Sequence, residues 1–352
     1  MPHLVVVGGG SAGHVIPAVP VIQALVDDDW RITFIGTTSG LEQELIKDLP
    51  VRFKGIAAGK LRRYWSWKNL TDLFRIALGV LQSLVLLITD RPQVVFSKGG
   101  FVSFPVALSA WLLRIPVVAH ESDLTPGLAN RLVLPFIRCL CTSFEATKVE
   151  KRGVRVVHTG TPIRDVLLDG DAKLGRQQLG LDADQKLLVV TGGSLGADFL
   201  NQVVRQTLSQ LTQDFFVFHV CGAGKILDTT ADNYQQVEYV AQGWGDILAA
   251  ADIVISRAGA NALFELLALG KLNLLVPLSA KASRGDQIEN AAFSKQQGYS
   301  VVCKEEALTP EALMAGLQNL DANKASFVAA LAKFRHPDSV SRIREEIVRF
   351  AS

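Results

Sequence analysis

The chain has 352 residues, which is long for one hydrophobic core and comfortable for two domains. Hydrophobic residues make up 49% of it and charged residues 20%, a balance that excludes an intrinsically disordered protein. The net charge is only +2, but residues 1–164 carry 19 basic against 12 acidic side chains and residues 165–352 carry 17 against 22, so we expect the first half to meet an anionic partner.

Cysteine usage and hydropathy favour a cytosolic protein. Four cysteines lie in apolar runs and are expected to be reduced packing residues: Cys139, Cys141, Cys221 and Cys303. No basic region precedes the apolar run Leu4–Val7, so no signal peptide is expected. The most apolar stretch, Ile76–Ile88, is about 13 residues long against the roughly 20 that a spanning helix needs, which predicts a chain that does not cross the membrane.

Short Val/Ile/Leu runs alternate with amphipathic segments in the first half of the chain. The predicted strands are Leu4–Val7, Ile32–Ile35, Val94–Phe96, Pro116–Ala119 and Arg138–Thr142. Apolar residues recur at helical spacing between Asn69 and Ile88, which predicts a helix lying on a sheet. This alternation is typical of an α/β fold with a parallel sheet.

The pattern restarts in the second half, where Leu187–Thr191 and its glycine turn echo the opening strand. Further strands are predicted at Phe215–Val220, Asp252–Ser256 and Leu272–Val276. Gly and Pro interrupt both periods at Thr159–Arg164, which indicates a hinge. We therefore predict two Rossmann-like domains, residues 1–163 and 164–335, with a final helix in residues 336–352 that packs back on the first domain.

The opening glycine motif, Gly8, Gly10 and Gly13, fits G-x-G-x-x-G after a strand. A nicotinamide or flavin site also needs an acid at the end of the second strand to hold the ribose. Residues 31–38 contain no acid, so a redox function is disfavoured. His14 directly follows the motif and indicates other chemistry.

Two helix starts in the second half suit a nucleotide sugar. Asn261 and Glu265 lie one turn apart at the start of a predicted helix, where Glu265 can accept ribose hydroxyls while terminal amides take phosphates. Further on, Asp286, Gln287 and Asn290 offer hydrogen bonds to sugar hydroxyls. A solvated glutamate and an N-capped surface helix are the alternatives.

Two loops of the first half, Ser97–Phe101 and His120–Gly127, also follow predicted strands. His120 and Glu121 are equally well explained as structural residues, so neither is assigned a catalytic role. Three acidic clusters resemble metal-binding triplets but fall in turns: residues 27–29, 169–171 and 182–184. No tightly held metal is expected.

The motifs together are more specific than any one of them. The segments GGGSAGHVIPA, SKGGFVS, IPVVAHESD, GTPIR, TGGSLGA, SRAGANALFE and RGDQIENA occur in the order found in the MurG family of bacterial glycosyltransferases, family 28, which this chain resembles over nearly its whole length. The resemblance implies a GT-B fold with two domains about a cleft. It also implies inverting transfer of N-acetylglucosamine from UDP-GlcNAc to the 4-hydroxyl of undecaprenyl-pyrophosphoryl-MurNAc-pentapeptide, which converts lipid I to lipid II in peptidoglycan synthesis, without a cofactor.

The matched motifs and the helix starts give the candidate substrate contacts. In the first half these are Ser11, Ala12, Gly13 and Asn130. In the second half these are Arg164, Ser194, Trp244, Ala260, Asn261, Glu265, Asp286 and Gln287. The resemblance implies that Glu265 binds the ribose, Trp244 lies by the uracil and Gln287 holds GlcNAc hydroxyls. The chain departs from the family pattern at Asp123, Ala262 and Asp286.

His14 is the candidate general base because imidazole titrates near neutrality, and Asp123 is the reserve candidate. His14 orienting the acceptor pyrophosphate is the alternative. Two other functions stay open: a related GT-B transferase acting on a lipid such as diacylglycerol, and a non-catalytic nucleotide-sugar-binding protein of the wall-synthesis machinery.

Residues 60–68 interleave cations with aromatics, a pattern that suits an anionic membrane surface. Arg62, Arg63, Trp65 and Trp67 are the predicted membrane patch. We expect peripheral attachment to the cytoplasmic face of the cell membrane, with other wall-synthesis and division proteins as partners and no nucleic acid. A basic surface loop with buried aromatics is the alternative.

Overall fold

The computed structural model describes residues 1–59, 68–149, 151–182, 184–193, 195–280 and 283–352. The chain divides into two compact units. Unit 1 comprises Met1–Arg164 and Pro337–Ser352, and unit 2 comprises Asp165–His336. These limits lie one residue beyond the predicted ones, so Arg164 belongs to unit 1 and not, as predicted, to the second domain.

Unit 1 contains a seven-stranded parallel sheet in the order β3-β2-β1-β4-β5-β6-β7. Its strands are β1 (His3–Gly8), β2 (Arg31–Thr37), β3 (Arg52–Ile56), β4 (Val94–Gly99), β5 (Val117–Glu121), β6 (Cys139–Thr142) and β7 (Arg155–His158). The inner strands are covered on both faces, so every residue of β1 and β5 is buried, including the polar His3, His120 and Glu121.

Unit 2 contains a six-stranded parallel sheet in the order β10-β9-β8-β11-β12-β13. Its strands are β8 (Leu187–Thr191), β9 (Phe216–Val220), β10 (Tyr234–Val237), β11 (Ile253–Ser256), β12 (Leu272–Leu275) and β13 (Val301–Val302). The two sheets confirm the predicted class of two Rossmann-like parallel-sheet domains.

The helices of the first part of the chain are α1 (Val19–Asp27), α2 (Glu42–Leu45), α3 (Lys68–Asp90), α4 (Ser103–Leu112) and α5 (Leu128–Val133). Unit 2 contributes α6 (Asp165–Leu168), α7 (Ala172–Leu179), α8 (Asp198–Gln206), α9 (Leu208–Asp214), α10 (Trp244–Ala250), α11 (Ala260–Ala268), α12 (Asp286–Gln296), α13 (Pro310–Ala322) and α14 (Lys324–Leu331). The last helix, α15 (Ser339–Ala351), belongs to unit 1.

Helix α15 completes the core of unit 1. Ile343 and Ile347 are fully buried with Leu4 and Val6 on one face of the sheet, beside α1. The neighbouring residues of β1 point to the other face, where α4 covers them. The carboxylate of Glu346 accepts the Arg155 Nε at 3.0 Å, which ties α15 to β7.

Helix α3 is longer than the apolar stretch of about 13 residues from which sequence analysis predicted that the chain does not cross the membrane. Residues Thr71–Asp90 form a 20-residue apolar helix with mean hydropathy 1.7, which is enough by length and composition alone to cross a membrane. Only 28% of it is buried within the protein. One side of α3 packs against the rest of unit 1. Leu87 is buried there, and the hydroxyl of Ser109 of α4 donates to the Val80 carbonyl.

Candidate functional sites

The glycine loop of unit 1 places His14 beside Ser11. Strand β1 ends at Gly8, and Gly10 has φ +87°, a left-handed conformation that favours glycine. A 3₁₀ turn follows at Ala12–His14, so His14 lies one turn after Ser11. The Ser11 Oγ and His14 Nδ1 are 3.0 Å apart. This hydrogen bond fixes the imidazole that sequence analysis proposed as the base.

Asn130 and His14 meet over Gly99, the last residue of β4. A Cβ on Gly99 would lie 3.2 Å from the His14 ring carbon Cδ2 and 3.9 Å from Asn130 Nδ2. The buried Asn130 Oδ1 has no hydrogen-bond partner among the described residues. A ligand hydroxyl is one group that would satisfy it. The structure thus brings together two predicted residues from distant parts of the sequence.

The Glu121 side chain organises the loop after β5. Its Oε2 accepts from Asn130 Nδ2 at 2.8 Å and from Gly127 N at 2.9 Å, while Oε1 accepts the Asp123 N–H at 3.0 Å. Burial raises the pKa of Glu121, and the nearby charge of Asp123 raises it further. Glu121 therefore holds Asp123 and Asn130 in place.

Lys98 lies beneath this loop and was not singled out by sequence analysis. Its side chain is buried, and Nζ donates to Ser122 Oγ at 2.5 Å. Burial lowers the pKa of Lys98 to about 8, although Glu121 and Asp123 favour the charged form. Burial and the Lys98 charge also lower the pKa of His120, whose Nε2 lies 2.9 Å from the Gly160 carbonyl. A lysine in a strand run gives no sequence signal of such burial.

In unit 2 the candidate donor loops follow three adjacent strands. Ser256 at the end of β11 pairs with Thr191 of β8 on one side and Leu275 of β12 on the other. Since the strands are parallel, the loops that follow them lie at one edge of the sheet, where ligands of such folds bind. Helix α11 begins at Ala260 directly after one of these loops, so its N-terminus faces this edge.

The candidate ribose residues lie on α11. Asn261 and Glu265 are one turn apart and half-buried, next to the fully apolar face formed by Leu263 and Leu266. Trp244, also half-buried, begins α10 directly after Gly243, which has φ +74°. The placement of Glu265 near a helix start is that expected of a group that accepts hydroxyls beside bound phosphate.

Gln287 links α12 to the α11 N-terminus. Its Oε1 accepts the Leu278 N–H at 3.0 Å, and its Nε2 is 3.9 Å from where a Cβ on Gly259 would lie. Asp286 pairs with Arg284, with 3.6 Å between Oδ1 and Nε. Asn290, which sequence analysis offered for sugar hydroxyls, is buried and donates through Nδ2 to the Ala258 carbonyl at 3.2 Å, in the loop before α11.

An ion pair between Arg257 and Glu305, missed by sequence analysis, ties together the loops after β11, β12 and β13. Arg257 donates to the Glu305 carboxylate and, through Nη1, to the Val276 carbonyl at 3.2 Å. Glu305 Oε2 also accepts the Ser279 N–H at 3.0 Å. Burial alone would raise the pKa of Glu305, but the bonds from Arg257 and Ser279 outweigh it and lower the pKa. The pair holds these loops together.

Some predicted residues stay untested by geometry. Ser194 of the predicted UDP-sugar contacts and the whole membrane patch lie outside the described residues: Arg62, Arg63, Trp65 and Trp67. Arg164 is half-buried, and its Nε has no hydrogen-bond partner in the described part of the chain. Ala12 is half-buried and Gly13 is exposed.

The described residues contain no group of three His, Cys, Asp or Glu side chains placed to hold a metal ion. All four cysteines are free thiols, three of them buried.

Comparison with known proteins identifies the family. Residues 4–141 match the glycosyltransferase family 28 N-terminal domain, and residues 187–343 match the glycosyltransferase family 28 C-terminal domain. The crystal structure of Acinetobacter baumannii MurG superposes with a TM-score of 0.78 at 25% identity, covering 99% of this chain and 100% of that one.

Two relatives carry the name UDP-N-acetylglucosamine--N-acetylmuramyl-(pentapeptide) pyrophosphoryl-undecaprenol N-acetylglucosamine transferase. The protein from Clostridium kluyveri is 45% identical over 352 residues, covering 99% of this chain and all of the relative. The protein from Legionella pneumophila is 49% identical over 323 residues, covering 91% and 89%. The fold is therefore GT-B, and the chain belongs to glycosyltransferase family 28.

Proposed function

We propose that this chain transfers N-acetylglucosamine from UDP-GlcNAc to the muramoyl 4-hydroxyl of undecaprenyl-pyrophosphoryl-N-acetylmuramoyl-pentapeptide, with inversion at the anomeric carbon. The observation that carries the proposal is the 45% identity, over the full length, to a relative named for this reaction. Unit 2 supplies a helix N-terminus and Glu265 for the nucleotide sugar. Unit 1 supplies the loop that bears Ser11 and His14 for the acceptor.

The reaction is a single displacement. The muramoyl O4 forms a bond to the GlcNAc anomeric carbon while the bond from that carbon to the UDP β-phosphate oxygen breaks. His14, oriented by Ser11, takes the proton from O4. The partial positive charge at the α11 N-terminus stabilises the leaving diphosphate, so we propose that no resident metal is needed.

The test is transfer of labelled GlcNAc in vesicles that contain both the lipid-linked muramoyl-pentapeptide and diacylglycerol. We expect the label in the pentapeptide lipid with one UDP released per sugar, in EDTA as in buffer. Label in diacylglycerol would support the alternative transferase. Binding of UDP-GlcNAc without turnover would support the non-catalytic alternative.

We further propose that unit 1 attaches to the anionic cytoplasmic leaflet through the outer side of α3, the helix whose sequence follows the predicted patch. Large apolar side chains are exposed there, including Phe74 at 75% and Leu81 at 61%. Trp111 and Leu112 of the neighbouring α4 are half exposed as well. An apolar helix face of this kind binds the interface between lipid headgroups and acyl chains.

Binding to anionic vesicles tests this attachment. Phe74→Ser/Leu81→Ser should reduce it, whereas the matched control Leu227→Ser/Val328→Ser, which removes exposed side chains of unit 2, should not. Changing Arg62, Arg63, Trp65 and Trp67 together to Ser should weaken binding and make the remainder less sensitive to salt. UDP-GlcNAc affinity should stay unchanged throughout. If the Phe74/Leu81 variant and the four-residue patch variant both bound vesicles as the wild type does, the attachment would be refuted.

A further inference from the structure

A buried carboxylate lies beneath the glycine loop of unit 1. Glu42, the first residue of α2, has no exposed surface. Its Oε1 accepts the Gly10 N–H at 2.9 Å, and its Oε2 accepts the Thr37 hydroxyl at 2.9 Å. The ion pairs among the described residues do not include Glu42. Since an unpaired buried carboxylate is costly, these two hydrogen bonds are what retain it.

Two glycines lie so close to the Glu42 carboxylate that a side chain at either position would meet it. A Cβ on Gly9 would come within 2.5 Å of Glu42 Oε1, and one on Gly40 within 1.6 Å of Oε2. A Cβ on Gly10 would lie 2.5 Å from the Phe101 ring. Gly10 is therefore bound by Glu42 through its N–H and bordered by the Phe101 ring at its Cα.

This contact changes what the glycine loop can do. The N–H groups of such a loop usually bind a phosphate. Here the Gly10 N–H is already donated to a carboxylate of the same chain. The next residue is Ser11, whose hydroxyl holds His14.

We propose that Glu42 is a positioning residue: it occupies the place of an anion beneath the loop and thereby fixes the orientation of Ser11 and His14. The proposal rests on the proposed transferase function only for its kinetic test. Under this proposal the glycine loop serves to hold the His14 imidazole, and the Gly10 N–H is not available to bind the acceptor diphosphate.

Turnover by two Glu42 variants tests the assignment. Glu42→Ala should lower kcat roughly 10- to 100-fold, because small misplacements of a reacting group cost rate, with the KM for UDP-GlcNAc unchanged. Glu42→Gln should retain most of the turnover, since its amide can still accept from Gly10 and donate to Thr37. Glu44→Ala is the matched control, an exposed carboxylate on the same short helix, and should behave as wild type. Wild-type turnover in Glu42→Ala, or equal loss in Glu42→Gln, would overturn the assignment.

A double-mutant cycle with His14 separates positioning from general stability. If Glu42 acts through the imidazole, Glu42→Ala should cost little in a His14→Ala background. Additive losses would mean that Glu42 does not act through His14. Should Glu42→Ala fail to fold, Thr37→Val removes only the hydroxyl bound to Oε2 and should still give a smaller loss of kcat that vanishes in the His14→Ala background.

Hydrogen exchange tests the same contact without any activity. Glu42→Ala should speed amide exchange in residues 8–14 while the other strand-end loops keep wild-type rates. Unchanged exchange there would overturn the proposal even in an active enzyme. If the wild-type protein transferred no GlcNAc but Glu42→Ala still exchanged faster than wild type in residues 8–14, the transferase function would fail and the positioning of the loop would stand.

Discussion

The two glycine turns of this chain are similar in sequence and differ in what surrounds them. After β1, the Gly10 N–H is bound by Glu42 and the Phe101 ring covers the other side. After β8, the Gly193 N–H donates to Thr191 Oγ1 at 3.2 Å, and a Cβ on Gly193 would meet no atom of the described residues within 4 Å. We call the first turn filled, because other atoms of the chain occupy the space beside Gly10, and the second open, because the described residues leave the space beside Gly193 empty.

This difference shows that a glycine signature predicts a backbone turn and not its ligand. Leu195 in the second turn is 81% exposed, as expected of a loop that leaves space for a ligand. The first turn instead presents side chains, Ser11 and His14, at its far end. Both turns donate one glycine N–H within the chain, so it is the empty space beside Gly193 that suits a nucleotide sugar, whereas the filled turn suits the placement of a proton acceptor. Each assignment can be tested separately.

Removing the side chain presented by the filled turn should have the largest effect. His14→Ala should lower kcat by roughly 10²–10⁴ while UDP binding in unit 2 stays near wild type, because a general base acts only in the chemical step. Steady-state kinetics and calorimetry with UDP check this. If kcat were kept and only the acceptor KM rose, His14 would be a binding residue and Asp123 would become the candidate base.

Lys98, buried beneath the loop after β5 in the unit that holds the filled turn, should make this unit sensitive to pH. Its pKa is lowered from 10.5 in the unfolded chain to about 8 in the fold, so the unfolded state binds more protons between these values. The free energy of unfolding should therefore rise with pH across this window, by up to about 3 kcal/mol relative to Lys98→Met. Denaturant unfolding of both proteins from pH 7.5 to 10 checks this; a constant difference between them would contradict the burial of a charged Lys98.

Burial explains which strands sequence analysis predicted and which it missed. Predicted strands fell on β1, β2, β4, β5, β6, β8, β9, β11 and β12. The missed strands are the four sheet edges: β3, β7, β10 and β13. An edge strand is covered on fewer sides, so sequences such as RFKGI and YQQV lack the continuous apolar run of a central strand.

The same reasoning explains which site residues were missed. Residues at strand ends and helix starts, such as His14 and Glu265, carry local signals. Glu42 lies on a four-residue helix with no periodicity, and its role depends on Gly10, 32 residues away in sequence. Lys98 and Arg257 likewise depend on partners that only the folded sheets bring close.

The open turn's neighbourhood is tested by Glu265→Ala. If Glu265 holds the ribose, loss of one charge-assisted hydrogen-bonded pair should weaken UDP-GlcNAc binding by about 1.5–3 kcal/mol. Asp321→Ala, an exposed carboxylate on α13, is the matched control and should bind as wild type. Calorimetric titration of both variants measures the difference, and wild-type affinity in a folded Glu265→Ala protein would rule out the ribose assignment.

Alanine substitution in each turn tests whether the two turns differ in the space beside their glycines. Gly10 and Gly193 have φ values of +87° and +81°, so alanine imposes a similar backbone strain of about 1–2 kcal/mol at either position. Only at Gly10 would the new Cβ also meet the Phe101 ring, at 2.5 Å, which adds an overpacking cost of about 1 kcal/mol or more. Denaturant unfolding should therefore show a larger loss of stability for Gly10→Ala than for Gly193→Ala. Phe101→Ala should remove that excess in the double variant, because it removes the ring that the methyl group meets. Equal losses in the two single variants would mean that the first turn is as open as the second.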